Sequence, residues 1–256
     1  MKWPQSLILI RHATSQYNQM KKDLDKDPLH QEFVRLFEAD PTSPVCIAHA
    51  TLLIEKYALK CSDFGTPLDD AGFEMARITG TNFESVAEMP DVIFVSPYLR
   101  TMQTFEALKE GCPKLRGIPV VQEERIREQE HGLAGLYNNW RAFHVMNPDQ
   151  KKLFDMMGPY WYQYPQGESV PILRERNRSW ITTLIREFAG KRVLAITHHL
   201  TILACRAQLE RFGSKEFIRL DHEEKPLNCG VTIYKGDRSK GKNGKLFLQT
   251  YNTKLY

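Results

Sequence analysis

Three short apolar runs in this sequence each end on residues able to handle a phosphoryl group. Residues 7–10 (Leu-Ile-Leu-Ile) lead straight into Arg11-His12-Ala13-Thr14-Ser15. Residues 92–95 lead into Ser96-Pro97-Tyr98-Leu99-Arg100-Thr101, and residues 193–196 into Thr197-His198-His199. Arginine forks pair with phosphate oxygens, and a neutral imidazole can attack phosphorus. Two arginines and two or three histidines at one edge therefore suit a dianionic phosphoryl group. A metal site is not expected. Adjacent histidines do not chelate easily, and neither His-x-x-x-His spacing nor a neighbouring carboxylate accompanies His198-His199.

Bringing these residues together needs parallel strands, because open α/β sheets place their sites outside the carboxyl ends of the strands. The three runs read as buried strands. Between them, residues 70–86 show helical spacing at Phe73, Ala76, Gly80 and Phe83. Ser169 reads as an N-cap, with Pro171 tolerated in the first turn. Leu173, Trp180, Leu184 and Phe188 then lie along one helix stripe, which Gly190 is placed to end. Residues 231–234 and 246–250 read as a closing hairpin. The pattern predicts an α/β fold: a three-layer α/β/α sandwich with a mostly parallel central sheet, plus helical cap insertions. The whole chain, 1–256, is expected to form one domain. A helical insertion falls at 19–63, with helices around 30–37 and 47–59, and a lid segment rich in aromatics and Met falls at 136–165. For Trp161, Tyr162 and Tyr164, packing and substrate contact are equally good readings.

The net charge of +4 invites a nucleic-acid reading, but the excess is local. Residues 235–245 carry five basic residues and one acid, and the remainder balances at 30 against 30. One basic hairpin tip is not the broad stripe that a nucleic-acid binder needs, so no nucleic-acid partner is expected. No apolar run reaches the roughly 18 residues of a membrane span. The apolar stretch near the start is too short for a signal peptide. Cys46, Cys61, Cys112, Cys205 and Cys229 are scattered, with no Cys-x-x-Cys pair, which points to a reducing, cytoplasmic setting.

Six ordered segments resemble the histidine phosphatase superfamily, in its phosphoglycerate-mutase-like branch. They are the opening Leu-Ile-Leu-Ile-Arg11-His12 with its Asn18, Pro67-Leu68-Asp69-Asp70-Ala71-Gly72, and Ser96 to Thr104. The others are Arg125-Ile126-Arg127-Glu128-Gln129-Glu130-His131-Gly132, Tyr164-Pro165-Gln166-Gly167-Glu168-Ser169, and Thr197-His198-His199. The resemblance implies that His12 is the nucleophile and forms a phosphohistidine. It implies that Arg11, Arg100 and His198 hold the phosphoryl oxygens, and that Glu128 protonates the leaving oxygen and then activates water. It places Ser15, Asn18, His199, Glu168 and Ser169 in substrate binding. No cofactor is implied. The expected partner is a small phosphorylated substrate, with inorganic phosphate, sulfate or vanadate as pocket ligands; an oligomer is left open.

Two residues depart from the family pattern. Ala13 stands where Gly is usual, so its backbone is expected at negative φ or slightly strained. His199 stands where the family has Gly, Gln or Asn, and it can face the pocket or turn away. Glu130 remains a rival to Glu128, since both share one side of an extended segment. Broad-range acid phosphatases share the Arg-Ile-Arg-Glu-Gln run and the aromatic-Pro-x-Gly-Glu-Ser segment, which favours phosphomonoester hydrolysis. Mutase-type phosphoryl transfer, fructose-2,6-bisphosphatase activity and non-catalytic binding of a phospho-ligand are the alternatives.

Overall fold

The computed structural model describes residues 2–58 and 61–256. Leu59, the expected end of the second helix of the insertion, lies outside the described residues. In chain order the elements are β1 (Ser6–Arg11), α1 (Gln16–Lys26), α2 (Pro28–Ala39), α3 (Pro44–Lys56), α4 (Asp70–Thr81), β2 (Val92–Val95), α5 (Leu99–Gly111) and β3 (Val120–Gln122). There follow α6 (Trp140–Met146), α7 (Pro148–Trp161), α8 (Val170–Glu187), β4 (Arg192–Thr197), α9 (His199–Glu210), α10 (Ser214–Glu223), β5 (Val231–Asp237) and β6 (Lys245–Thr253). They fall into two compact units. The first holds the segment ending at Ser15, Phe64–Glu128 and Ile172–Tyr256; the second holds Gln16–Asp63 and Gln129–Pro171.

The first unit is built on one sheet in the order β3-β2-β4-β1-β5-β6. β3, β2, β4 and β1 run parallel, and β5 and β6 complete the sheet antiparallel. Strand side chains alternate between faces, and both faces are buried here. Leu7, Leu9, Val92, Phe94, Val193 and Ala195 meet Trp180 and Leu184 of α8 and Ile202 of α9. Ile8, Ile10, Ile93, Val95, Leu194 and Ile196 meet Phe105 and Leu108 of α5. The continuous apolar runs thus reflect a sheet covered on both sides, as the α/β expectation required. β5 and β6 bracket the exposed basic turn.

Two differences have local causes. The helix expected over 70–86 stops as an α-helix at Thr81. Asn82 closes it, and Phe83–Ser85 continues as a 3-10 turn that keeps Phe83 buried. β3 carries no strand signal because it is three residues long, lies at the sheet edge and is exposed throughout. Among the described residues, no helix is long and apolar enough to cross a membrane.

The second unit is helical. Asp27 caps α2 by accepting from Leu29 N–H at 3.0 Å, with Pro28 at the first helical position. Ser43 and Pro44 start α3 in the same way. Phe33, Phe37, Ala50, Leu53, Ala142 and Val145 form the core that joins α2, α3 and α6. α7 breaks at Gly158, whose φ of 75° precedes Pro159, so its last turn is set off from the rest. The insertion at 19–63 and the segment 136–165 therefore both lie within this one unit.

Candidate active site

Strand register builds the site. Arg11 pairs with Thr197, and Val95 with Ile196, so β1, β2 and β4 end level with one another. The next residues are His12, Ser96 and His198. His12 N–H donates to Thr197 O at 2.9 Å, and Ser96 N–H to Ile196 O at 3.1 Å. The His12 and His198 rings consequently sit 5.3 Å apart, and both are buried.

His12 has a fixed tautomer. Its Nδ1 lies 2.7 Å from Ala13 O. A carbonyl only accepts, so Nδ1 carries the proton and Nε2 the lone pair. The imidazole is held well below its usual pKa, chiefly by burial, then by Arg100 and Arg11. The neutral form is therefore favoured, with the Nε2 lone pair free of the Ala13 hydrogen bond. Its backbone is held from two directions. Ala13 N–H donates to Thr104 Oγ1 at 3.0 Å, and Asn228 Nδ2 donates to His12 O at 3.0 Å and Ala13 O at 3.2 Å. Ala13 is fully buried beside Leu68, Ala76 and Cys229 and does not adopt positive φ. Its methyl fills core space without backbone strain.

His198 meets Ser96 Oγ at 2.7 Å through Nε2. Its Nδ1 is buried with no hydrogen-bond partner among the described residues. When Ser96 donates its hydroxyl proton to Nε2, Nδ1 becomes a directed N–H donor. His198 is also kept neutral, mainly by burial, then by Arg100 and His12. Arg100, in the first turn of α5, lies with its guanidinium carbon 4.8 Å from the centre of the Tyr98 ring, which itself packs 4.9 Å from His198. Arg11 donates through Nη1 to Pro226 O at 2.8 Å, and its Nε is buried without a partner among the described residues. Burial lowers the Arg11 pKa, Glu128 partly offsets this, and Arg100 adds to it.

Ser15 is buried at a bridge to Leu68. The adjoining turn is tied by Asp69, whose Oδ1 accepts from Thr14 Oγ1 and from Gly72 N–H, both at 2.7 Å. Gly72 is required there, because a Cβ would fall 2.1 Å from Thr14 O. Glu128 belongs to the same unit as His12, and its Oε1 accepts from Leu200 N–H in the first turn of α9 at 3.1 Å. His199 turns to α10, its Nε2 2.9 Å from Asp221 Oδ1. Burial pushes the Asp221 carboxyl up, but the adjoining His199 ring outweighs it and leaves the carboxyl below its usual pKa.

Asn18, Glu168 and Ser169 lie in the second unit. Asn18 is half-buried in the first turns of α1. Glu168 is buried and woven to the neighbouring segment: its N–H donates to Glu130 O at 2.7 Å, and its carboxylate accepts from Glu130 N–H at 3.2 Å. Glu130 is therefore part of that turn. Tyr162 is buried, its ring 4.9 Å from that of the half-buried Tyr164, while Trp161 is exposed. Asn228 and Thr104, which hold the His12–Ala13 backbone, are not singled out by the sequence. Thr104 was visible as the end of the Ser96 segment, whereas nothing in the sequence linked Asn228 to a residue 216 positions away.

A family model described as the histidine phosphatase superfamily, branch 1, matches residues 56–247. The matched span includes Arg100, Glu128 and His198 but begins after His12. The chain is 26% identical over 190 residues to the phosphoglycerate mutase-like protein AT74 of Arabidopsis thaliana, covering 74% of this chain and 49% of that protein. It thus spans about half the length of this curated relative. Among solved structures, a putative alpha-ribazole-5'-P phosphatase from Escherichia coli superposes with a TM-score of 0.69 at 15% identity, covering 98% of each chain. A mycobacterial glucosyl-3-phosphoglycerate phosphatase complexed with VO3 gives a TM-score of 0.64 at 17% identity, covering 97% of this chain and 99% of the other.

Proposed function

Because this chain belongs to the histidine phosphatase superfamily, branch 1, we propose that it is a phosphomonoester hydrolase working through a phosphohistidine on His12. The observation that carries this reading is the state of His12: neutral, buried, with Nδ1 committed to Ala13 O and Arg11, Arg100 and His198 around it.

Nε2 attacks phosphorus while the ester P–O bond breaks. The charge spread over the phosphoryl oxygens meets Arg11, Arg100 and the Nδ1–H of His198, groups already in place before reaction. The departing alkoxide takes its proton from the Glu128 carboxyl. A water then attacks the phosphohistidine, giving its proton to the Glu128 carboxylate. The P–N bond breaks and returns the neutral imidazole, with inorganic phosphate as product. All the charge stabilisation in this scheme comes from side chains, so turnover is expected to survive a chelator.

Ser15, Asn18, Glu168 and Ser169 are assigned to substrate binding on the family resemblance, whereas His199, turned to Asp221, is left out of that set. The Arg-Ile-Arg-Glu-Gln and Tyr-Pro-Gln-Gly-Glu-Ser segments support a place near the broad-range acid phosphatases. The five scattered cysteines, without a Cys-x-x-Cys pair, support a reducing, cytoplasmic setting. The name of the plant relative keeps mutase-type transfer as the second reading.

Rapid quenching during turnover tests the proposal. The protein is expected to carry one acid-labile, base-stable phosphate, absent from His12→Ala. Vanadate, which mimics five-coordinate phosphorus, is expected to inhibit more tightly than phosphate. Isomerisation of added phosphoglycerate, in place of release of inorganic phosphate, would move the assignment to the mutase reading. A quenched enzyme without phosphohistidine would sink both.

A further inference from the structure

We propose that Arg176 is a positioning residue for the proton donor, clamping the backbone of residues 125–128 so that the Glu128 carboxyl is held in place. This role rests on the reading of Glu128 as the acid.

The argument begins with a segment that lacks regular structure where it matters. Glu124–Ile126 is a single 3-10 turn, and Arg127 after it is extended. The carbonyls of such a segment must find donors elsewhere. Here each of the four finds a side chain. Arg176 Nη1 donates to Arg125 O at 2.9 Å and to Arg127 O at 3.0 Å, and Nη2 donates to Glu128 O at 3.1 Å. Thr197 Oγ1 donates to Ile126 O at 2.6 Å, and Thr201 Oγ1 donates to Arg127 O at 2.7 Å.

Arg176 can act as a clamp because of where it stands on α8. It is three residues after Leu173 and four before Trp180, both fully buried, so all three share one side of the helix. Sliding or turning α8 would expose Trp180, and the guanidinium is thereby fixed to the core. One planar fork spans three acceptors, a geometry that a lysine ammonium cannot reproduce. The other end of Glu128 is fixed too, by Leu200 N–H on its carboxylate. The position of the acid is therefore set jointly by α8, β4 and α9. The Arg176 charge also contributes to keeping His198 neutral.

A structural role alone would slow every substrate equally. A role through the acid depends on how much the leaving group needs a proton. The experiment measures kcat for an alkyl phosphate and for p-nitrophenyl phosphate in wild type, Glu128→Gln, Arg176→Ala, Arg176→Lys and Thr201→Val, with thermal melting as a check on folding. A misplacement near 1 Å can cost on the order of 10²-fold. Arg176→Ala is expected to lose about that much on the alkyl phosphate and far less on the aryl phosphate. Arg176→Lys should recover part of the loss, and Thr201→Val should show the same asymmetry more weakly. If Arg176→Ala does not fold, the Lys and Val variants carry the same comparison. Equal losses on both substrates, or none, alongside an asymmetric Glu128→Gln, would overturn the clamp and leave the acid assignment standing. A Glu128→Gln variant indifferent to the leaving group would remove the acid assignment, and the clamp with it.

Discussion

His12 in the first unit and His144 in the second are both buried, and both are held below the usual histidine pKa. The resemblance stops there. His12 has a hydrogen bond that fixes its tautomer, with arginines as its main electrostatic neighbours. His144 sits among the rings of Trp140, Phe143, Phe154, Tyr162 and Tyr164, at centroid distances of 4.9 to 6.1 Å. Neither of its nitrogens has a hydrogen-bond partner among the described residues. Burial, assisted by Lys151, lowers its pKa to about 4, with Asp155 opposing. Burial alone therefore makes a neutral histidine. The role proposed for His12 also needs a partner that chooses which nitrogen carries the lone pair, and cations nearby to receive a phosphoryl group.

The sharpest break in this comparison is in turnover. His12→Ala is expected to cost on the order of 10⁴–10⁶-fold in kcat, whereas His144→Phe should leave kcat/KM where it was. Steady-state assays of the two purified variants decide it, and a comparable loss in both would erase the distinction drawn here. Next in size is Ser96→Ala, which leaves His198 without its orienting hydroxyl. We expect a fall of about 10- to 10²-fold in kcat with the melting temperature nearly unchanged. Undiminished turnover would show that Ser96 does not direct His198.

The smallest effect sharpens the other side of the comparison. His144 protonates near pH 6.5 in the unfolded chain and near pH 4 in the folded one. As pH falls from about 6.5 to about 4, the unfolded state binds the proton first, so stability is lost progressively and the loss levels off below pH 4. Its full size is on the order of 3 kcal/mol. His144→Phe removes this dependence and the unsatisfied nitrogens, and its unfolding free energy should lie above wild type by a margin that widens toward pH 4. Parallel urea titrations across that range measure it; curves that stay parallel with pH would show that His144 does not titrate as described.

Much of the site was legible because the chemistry follows directly on apolar strands. His12 and His198 could be placed from sequence position, since the residue after a buried parallel strand has one place to go, and Arg11 and Arg100 stand close to the same strand ends. The β5–β6 hairpin was equally local. What stayed hidden was long-range support. Asn228, Thr201 and Arg176 act through backbone atoms, and a carbonyl leaves no trace in the sequence of its partner. The end of α4 at Thr81 was hidden for a different reason. Phe83 keeps the apolar period running, while the backbone tightens to a 3-10 turn beneath it. The direction of His199 was set by Asp221, 22 residues away and on another helix.

The level ends of β1, β2 and β4 bear on how this chain can tolerate change in length. A single residue added inside β4 advances everything after it by about 3.3 Å and turns each following side chain to the opposite face. His198 would exchange places with a neighbour, and Leu194 and Val193 would swap the cores they fill. A residue added to the exposed turn between β5 and β6 alters neither register nor burial. Insertions should therefore be distributed very unevenly among functional variants of this protein: absent from the interiors of the three central strands and common in the turn near Lys240 and Lys242.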